Sequence, residues 1–517
     1  MYRAYVPAEE GVWAPACYAN CRENELAALK LRTMGPTPDD PLEWPASVGR
    51  AFAGLRRLAR VVCVDKWDVW QTAQSYSGRL RRRYLEAARS LETDGWISKD
   101  DYRLSAFLKG EKHNPRLKRG KPRMICPRSP RYNLVLASYL KPLEHALWKR
   151  WRFGLGVLPT RVSAKGLNSE ARARLIERKM ESVGDCVVFE VDGKAFEAHV
   201  TGYQLDLEAA VYKAAYPGDR ELAGLLSVQR KLVGKTAGGI RFSRVGARAS
   251  GDFNTGMGNT LLMGGFVTAA LSDFAASRPD LRCTILVDGD NALLFVSANY
   301  ASSLHQLFPE LVRSVSAHEM AVEKPTTVIE RVIFGQSQPV RTAGGLRMVR
   351  NVWKTLSGAF CGHRHYHDRA FAPRLMHEIA LAELALSKGV PVLQPYFKAC
   401  VDALAGYKRV RDPSAFLEGH LLGVTTDGKV GEITLDARLS FEQAFGISVE
   451  DQLGLEARLV SGVRHDMGRV VRDAQWLRVV VECYDGRDAD ETDDHWDQLY
   501  LPAPEMGSFG AATDAGT

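Results

Sequence analysis

Long apolar runs are missing from this chain. Its most apolar window, Thr260–Leu271, is too short to cross a bilayer and is soon followed by Asp273. Met1–Pro15 lacks both a basic start and an apolar stretch, so no secretory leader is expected. A cysteine framework is missing too. The nine cysteines are scattered, and Cys17 and Cys21, four apart, have no second Cys or His pair nearby. That excludes a small disulfide scaffold and fits free thiols in a reducing compartment, so the cytosol is the expected location. Acids are scarce across residues 109–152, where thirteen Lys and Arg stand against Glu111 and Glu144. They gather instead in residues 482–517, with ten acids and one base, a net of −9. The whole chain carries +8, so residues 1–481 carry +17. A basic body of that size points to a polyanionic partner, nucleic acid above all.

The remaining composition, 45% hydrophobic and 25% charged, is that of a soluble globular protein, and 517 residues imply several subdomains. No internal repeat divides the chain. Residues 1–60 mix Trp, Pro and helical patches, and residues 64–107 read as helical with an Arg cluster at Arg79, Arg81, Arg82 and Arg83. A charged helix is expected over 166–182, a strand over Val187–Val191, and helices over 203–233 with a break at Pro217–Gly218. Asn259–Ser277 reads as an apolar helix rich in small residues, and 301–316 as an amphipathic one. Short strands are expected at 328–334 and 345–350, and mostly helix from 355 to 480. The Asp-rich, then Gly/Ala/Pro-rich end, 484–517, is expected to be disordered. This order suits the α+β class, an antiparallel sheet backed by helices.

Three segments carry chemistry. VFEVDGKAFEAHV (188–200) ends an apolar, β-branched run on Asp192, with Glu197 five residues on. ILVDGDNALLFV (285–296) reads as strand–turn–strand with Asp290 at the tip after Gly289. Asp288, Asp290 and Asn291 crowd into that turn, and a bound metal is the simplest way to make the crowding tolerable. Between them lies SGDFNTGMGN (250–259), whose glycines admit a ligand close to backbone. Its Ser250, Thr255 and Asn259 both donate and accept, as does a ribose 2′-OH. Carboxylates on two strand ends suit two divalent ions about 3.5–4 Å apart, clamping both oxygens of a phosphoryl displacement. The basic stretch KGEKHNPRLKRGKPRMICPRSPR (109–131) offers cations for phosphate oxygens. The alternating Cys361, His363, His365 and His367 read as a polar loop.

Together these motifs resemble the RNA-dependent RNA polymerases of positive-strand RNA viruses, in particular the tombusvirus-like group. ICPRSPRYNLVLASYLKPLEHALW (125–148) resembles that family's basic fingers motif, VDGKAFEAHV its first palm motif, and SGDFNTGMGN its second. VDGDN stands where the family has Gly-Asp-Asp, VIFGQSQPV (332–340) resembles the motif that grips the nascent strand, and MVRNVWKTLSG (348–358) the entry to the thumb. Two residues depart from the pattern, Glu197 in place of Asp and Asn291 in place of the last Asp. Gly-Asp-Asn is also found in some tombusvirus-like viruses of fungi.

The resemblance implies a right-hand polymerase. Fingers would come from 61–182 and 203–249, palm from 183–202 and 250–340, thumb from 341–481. Residues 1–60 would pack on the fingers, and 482–517 would form an acidic tail. It implies template-directed addition of ribonucleotides to an RNA 3′-OH with two Mg2+ or Mn2+ ions. Asp192, Asp290 and Asn291 would hold metal, helped by the backbone carbonyl after Asp192. Glu197, Ser250, Gly251, Thr255 and Asn259 would meet the nucleotide sugar. Lys121 and Arg123 would bind its triphosphate; Lys109, Arg128 and Arg131 would contact RNA; Lys324 would donate a proton to pyrophosphate. Partners would be template and nascent RNA, NTPs and other viral replication proteins, in host cytoplasm at membrane-bound sites reached through a partner. Asn291→Asp is expected to keep activity and favour Mg2+. A reverse transcriptase, an impaired polymerase relative serving as an RNA-binding scaffold, and a basic coat protein are the alternatives.

Overall fold

The protein is described by a computed structural model covering residues 1–117, 120–417, 419–473, 476–478 and 483. Apart from Cys483, the acidic segment 482–517 lies outside the described residues. A four-stranded antiparallel sheet forms the centre, in the order Met320–Val322, Cys186–Gly193, Asn291–Ser297, Cys283–Asp288. Its strands read as nearly continuous apolar runs because both faces are covered. Successive side chains point to opposite faces. Phe189, Val191, Ile285, Val287, Ala292, Leu294 and Val296 join one core with the helices Ala46–Val62, Pro130–Arg150, Thr255–Ala275 and Ala298–Ser316. Val188, Leu286, Leu293 and Phe295 alternate with them and join a second core with Ala173 and Ile176 of the helix Ser169–Val183.

Small residues in the helix Thr255–Ala275 set its distance from its neighbours. A Cβ at Gly265 would lie 2.6 Å from the Phe52 ring, and one at Gly264 would strike Trp151. The helix therefore lies close against both aromatic side chains, and a methyl group added at either glycine would force the packing apart.

Beside this centre, Leu104–Leu108 runs parallel to Lys231–Thr236, which makes a hairpin with Arg241–Val245. Met124–Ile125, within the basic stretch, adds to the edge. These strands correct the helical reading of 64–107 and 203–233 at their last residues. In Leu104–Leu108 buried and exposed residues alternate, a period of two that a longer helical pattern had hidden. The strand expected at 328–334 is also displaced. Ile329–Arg331 is a 3-10 turn, and the strand is Ser337–Thr342, paired with Gly345–Arg350.

The helices Ala372–Leu386, Leu393–Leu404, Leu435–Phe445 and Val449–Gly462 surround a separate core that includes Met376, Tyr396, Phe397, Phe441 and Leu455. Residues 1–60 meet three separate parts of the molecule. Tyr2–Tyr5 pairs with Phe360–Gly362, Ala16 bridges to His113 in the basic stretch, and Ala46–Val62 packs into the central core. No described helix is long and apolar enough to cross a membrane.

Candidate active site

Sheet register brings the two aspartates to one end of the sheet. Asn291 lies directly opposite Asp192 on the neighbouring strand, and the Gly193 N–H donates to the Asp290 carbonyl at 3.1 Å. Gly289, at φ +71°, takes the turn between strands in the left-handed region that glycine enters freely. Its N–H donates to the Thr260 hydroxyl at 3.0 Å, which fixes the turn to the first part of the helix Thr255–Ala275. Thr260 had no sequence signal beyond being a hydroxyl in an apolar helix.

The charges at this end are sorted in two ways. Burial, with the Glu197 carboxylate adding to it, pushes the Asp290 carboxyl up to about 6. Burial would raise Asp288 as well, but Lys165 and Arg172 outweigh it and hold its carboxyl below the ordinary value. Each cation lies 2.6 Å from an Asp288 oxygen. A bound metal was the simplest expected relief for the crowding in this turn, and for Asp288 protein cations already supply it. Sequence spacing gave no pointer to Lys165 or Arg172.

Glu190 is a further residue that sequence reading missed. It is 3% exposed and lies two residues before Asp192 on the same face of the sheet. Its Oε1 accepts from Asn291 Nδ2 and from the Gly335 N–H, each at 3.3 Å, and its Oε2 is buried with no hydrogen-bond partner among the described residues. Burial pushes its carboxyl up to about 8, with the charges of Asp192 and Glu323 adding to the effect and the Gly335 and Asn291 hydrogen bonds opposing it. The signal was there: a glutamate interrupts the apolar run VVFEV at a position whose neighbours Val188 and Leu293 are core.

The glycine-rich loop stands beside the tip. Ser250 Oγ donates to Glu197 Oε1 at 3.5 Å, and the Arg248 N–H donates to the Glu197 carbonyl at 2.8 Å. Thr255 Oγ1 accepts from the Gly251 N–H at 3.1 Å, closing the loop on itself. Asn259 is 3% exposed, and its Oδ1 is buried with no partner among the described residues. Beneath the loop, Glu208 pairs with Arg248 and accepts from Tyr212 and Asn254, both at 2.7 Å. A Cβ at Gly258 would lie 2.6 Å from the Arg248 guanidinium, so the helix starts hard against this buried network. Glu197, Ser250, Gly251, Thr255, Asp192, Asp290 and Asn291 are thus brought together.

A family of viral RNA-dependent RNA polymerases matches residues 17–464. The chain belongs to that family. It is 32% identical over 432 residues to the RNA-directed RNA polymerase of Turnip crinkle virus, covering 80% of this chain and 53% of the relative. It is 30% identical over 452 residues to that of Cymbidium ringspot virus, covering 85% and 53%. The match to that of Tomato bushy stunt virus (strain Cherry) is 30% over 390 residues, covering 74% and 46%. The chain therefore spans about half the length of these relatives.

In this member of the family the basic residues separate into two groups. Lys109, Lys121 and Arg123 line a cavity of about 800 Å³, together with Gly335, Arg350 and Lys354. Lys109 pairs with Glu111 at 2.6 Å, and Arg123 is 3.7 Å from the same carboxylate. Arg123 also bears electrostatically on Asp290, lowering its carboxyl. Arg128 and Arg131 are the second group, and their expected contact with RNA is corrected. Arg128 is 2% exposed, paired with Asp252, and donates to the Val228 carbonyl at 2.9 Å. Arg131 is held by Asp101 at 3.3 Å and donates to the Trp96 carbonyl at 3.1 Å. Both guanidinium groups are committed to the scaffold.

Lys324 lies two residues beyond the strand Met320–Val322. That strand runs antiparallel to Cys186–Gly193, with Met320 opposite Gly193 and Ala321 opposite Asp192. The backbone leaves the tip along that strand, and the Glu323 N–H donates to the Glu190 carbonyl at 2.9 Å.

Proposed function

We propose that this chain is an RNA-directed RNA polymerase that copies a viral RNA genome, adding ribonucleotides to an RNA 3′-OH and releasing pyrophosphate. The observation that carries the reading is the cross-strand register, which sets Asp192 beside the Asp290 turn. In this reading residues 183–202 and 250–340, which hold the central sheet, are the palm, residues 61–182 and 203–249 the fingers, and 341–481 the thumb. Template and nascent RNA, NTPs and other viral replication proteins are its partners, at membrane-bound sites in the host cytoplasm.

The donor set fits a hard divalent cation, Mg2+ or Mn2+. Asp192 and Asp290 offer carboxylates and Asn291 an amide oxygen, and the Asp290 carboxyl is raised as a group needing a nearby cation would be. Bound there, two such ions would supply positive charge to the attacking and leaving oxygens. The chain's own residues would position the reactants. Glu197, Ser250 and Asn259 would take the ribose hydroxyl, a group that donates and accepts. Lys121 and Arg123 would neutralise the triphosphate from the cavity wall.

The test is incorporation of labelled NTPs on an RNA template with Mg2+ or Mn2+. Asp290→Ala removes charge stabilisation worth several kcal/mol, so incorporation should fall on the order of a thousandfold or more. Incorporation that survives this substitution would refute the assigned site.

A further inference from the structure

The turn at the sheet end carries an amide, Asn291, where a second carboxylate would otherwise stand beside Asp290. An amide is a useful metal ligand only through its oxygen, and it has two ends that compete for that position. Glu190 decides between them. Its Oε1 lies 3.3 Å from Asn291 Nδ2, which can only donate, and the partner of that contact must be an acceptor. With the NH2 group held on the Glu190 side, the Asn291 oxygen is left on the opposite side. Asn291 is the cross-strand neighbour of Asp192, so that side is the sheet end where Asp192 and Asp290 meet. The same Glu190 oxygen takes the N–H of Gly335, which lines the large cavity, so Glu190 also ties the sheet end to the turn before Ser337–Thr342.

Resting on the metal-site reading above, we propose that Glu190 is a positioning residue for the metal centre, orienting Asn291 so that its amide oxygen faces the cation. The pair Glu190–Asn291 then works as a unit, a carboxyl group set back in the sheet and a neutral ligand at the tip. The Glu190 Oε2 is buried without a partner among the described residues, so the grip on Asn291 and Gly335 falls to Oε1.

The pair makes a prediction opposite to the one drawn from sequence. Asn291→Asp alone sets two carboxyl groups at hydrogen-bond distance with no amide donor between them, so they must share a proton that competes with a cation for the oxygen at 291. Asn291→Asp should therefore lose activity about tenfold or more, and Glu190→Gln/Asn291→Asp should recover most of it, because the amide introduced at position 190 can donate to the new carboxylate. The direct readout is Mn2+ binding by the full chain, followed by electron paramagnetic resonance with Mn2+ alone. Glu190→Ala should weaken binding about tenfold with the melting temperature of the metal-free protein unchanged or raised, and Glu190→Gln, which keeps an acceptor for Asn291, should restore it. A role limited to packing would lower the melting temperature and leave Mn2+ affinity alone, which overturns the proposal. So would additive effects of Glu190→Gln and Asn291→Asp. Mn2+ binding that Asp290→Ala abolishes but Glu190→Ala leaves unchanged overturns this proposal alone. Mn2+ binding indifferent to Asp290→Ala overturns the metal-site reading and this proposal with it.

Discussion

A carboxyl held at about 6 by burial and by the nearby Glu197 charge binds a proton in a range where the unfolded chain does not. An unfolded aspartate titrates near 3.9. The stability that Asp290 lends the metal-free protein is therefore full below about pH 4 and is lost as pH rises through about 6. Asp290→Asn removes this dependence. In a chelator, the variant should melt above the wild type by a margin that widens from about pH 5 to about pH 7.5. Added Mn2+ should then raise the wild type and leave the variant unmoved, because metal binding requires the deprotonated carboxylate. A margin that stays constant with pH would show that Asp290 titrates like an exposed residue. At this scale the sequence was partly readable. Asp192 and Asp290 stood at ends of apolar runs, and Gly289 marked the turn. Lys165 and Arg172 were unreadable, because their partner Asp288 is distant in sequence and meets Arg172 through the packing of the helix Ser169–Val183 on the sheet and Lys165 through the bridge of Ser163 to Val287.

An element can look like an interface and be a scaffold. The run from Lys109 to Arg131 is one basic stretch in sequence, but its two halves have different duties. The first half borders the cavity, while Arg128 turns inward to Asp252, an acid of the glycine-rich loop. The Arg128 N–H also donates to Asp252 at 3.0 Å, so the start of the helix Pro130–Arg150 and the loop 250–259 are clamped together. Arg128→Ala should cost about 3–5 kcal/mol of stability by leaving a buried carboxylate unpaired. Asp252→Ala should destabilise the protein by a similar amount through the opposite partner. Denaturant unfolding measures both. If Arg128→Ala weakened RNA binding in fully folded protein while Asp252→Ala did not, the arginine would be an RNA contact after all. Charge density told of a polyanion site but could not tell which cations face outward. That distinction depends on the partner each arginine meets across the fold. The strands Lys231–Thr236 and Arg241–Val245 escaped notice for a related reason. They are short, and Val233 and Val245 stand on the exposed face while Gly234 and Arg244 stand on the other, so polar and apolar residues do not alternate cleanly.

At the scale of the whole molecule, the chain's first residues close a circuit that no local pattern announces. The strand Tyr2–Tyr5 adds to Phe360–Gly362 beside the C-terminal helices, and Ala16 and His113 exchange backbone hydrogen bonds at 3.0 and 2.9 Å. Lys112 completes the link by donating to the Gly358 carbonyl at 2.7 Å. The N-terminal segment therefore joins the basic stretch to the helices across the cavity, and those contacts hold the cavity walls in register. Gly11 is the weak point of this circuit. A Cβ there would lie 2.5 Å from the Trp353 indole, in the helix Val352–Gly358 that borders the cavity. Gly11→Ala must push the segment or the indole away, and overpacking of this kind costs about 1–3 kcal/mol. That is too little to unfold the central sheet and enough to loosen a four-residue strand in a small sheet of short strands. Amide exchange in Phe360–Gly362 should accelerate by about tenfold or more, since a loss of about 1.4 kcal/mol in local stability is a factor of ten in the open population. Exchange in Cys186–Gly193 should stay as slow as in the wild type, because that strand is paired on both sides within the core. Incorporation should fall with the loosened wall while Mn2+ binding at the sheet end persists. Equal acceleration in both strands would mean that the N-terminal segment supports the fold as a whole, and unchanged exchange at 360–362 would mean that the circuit bears no load at Gly11.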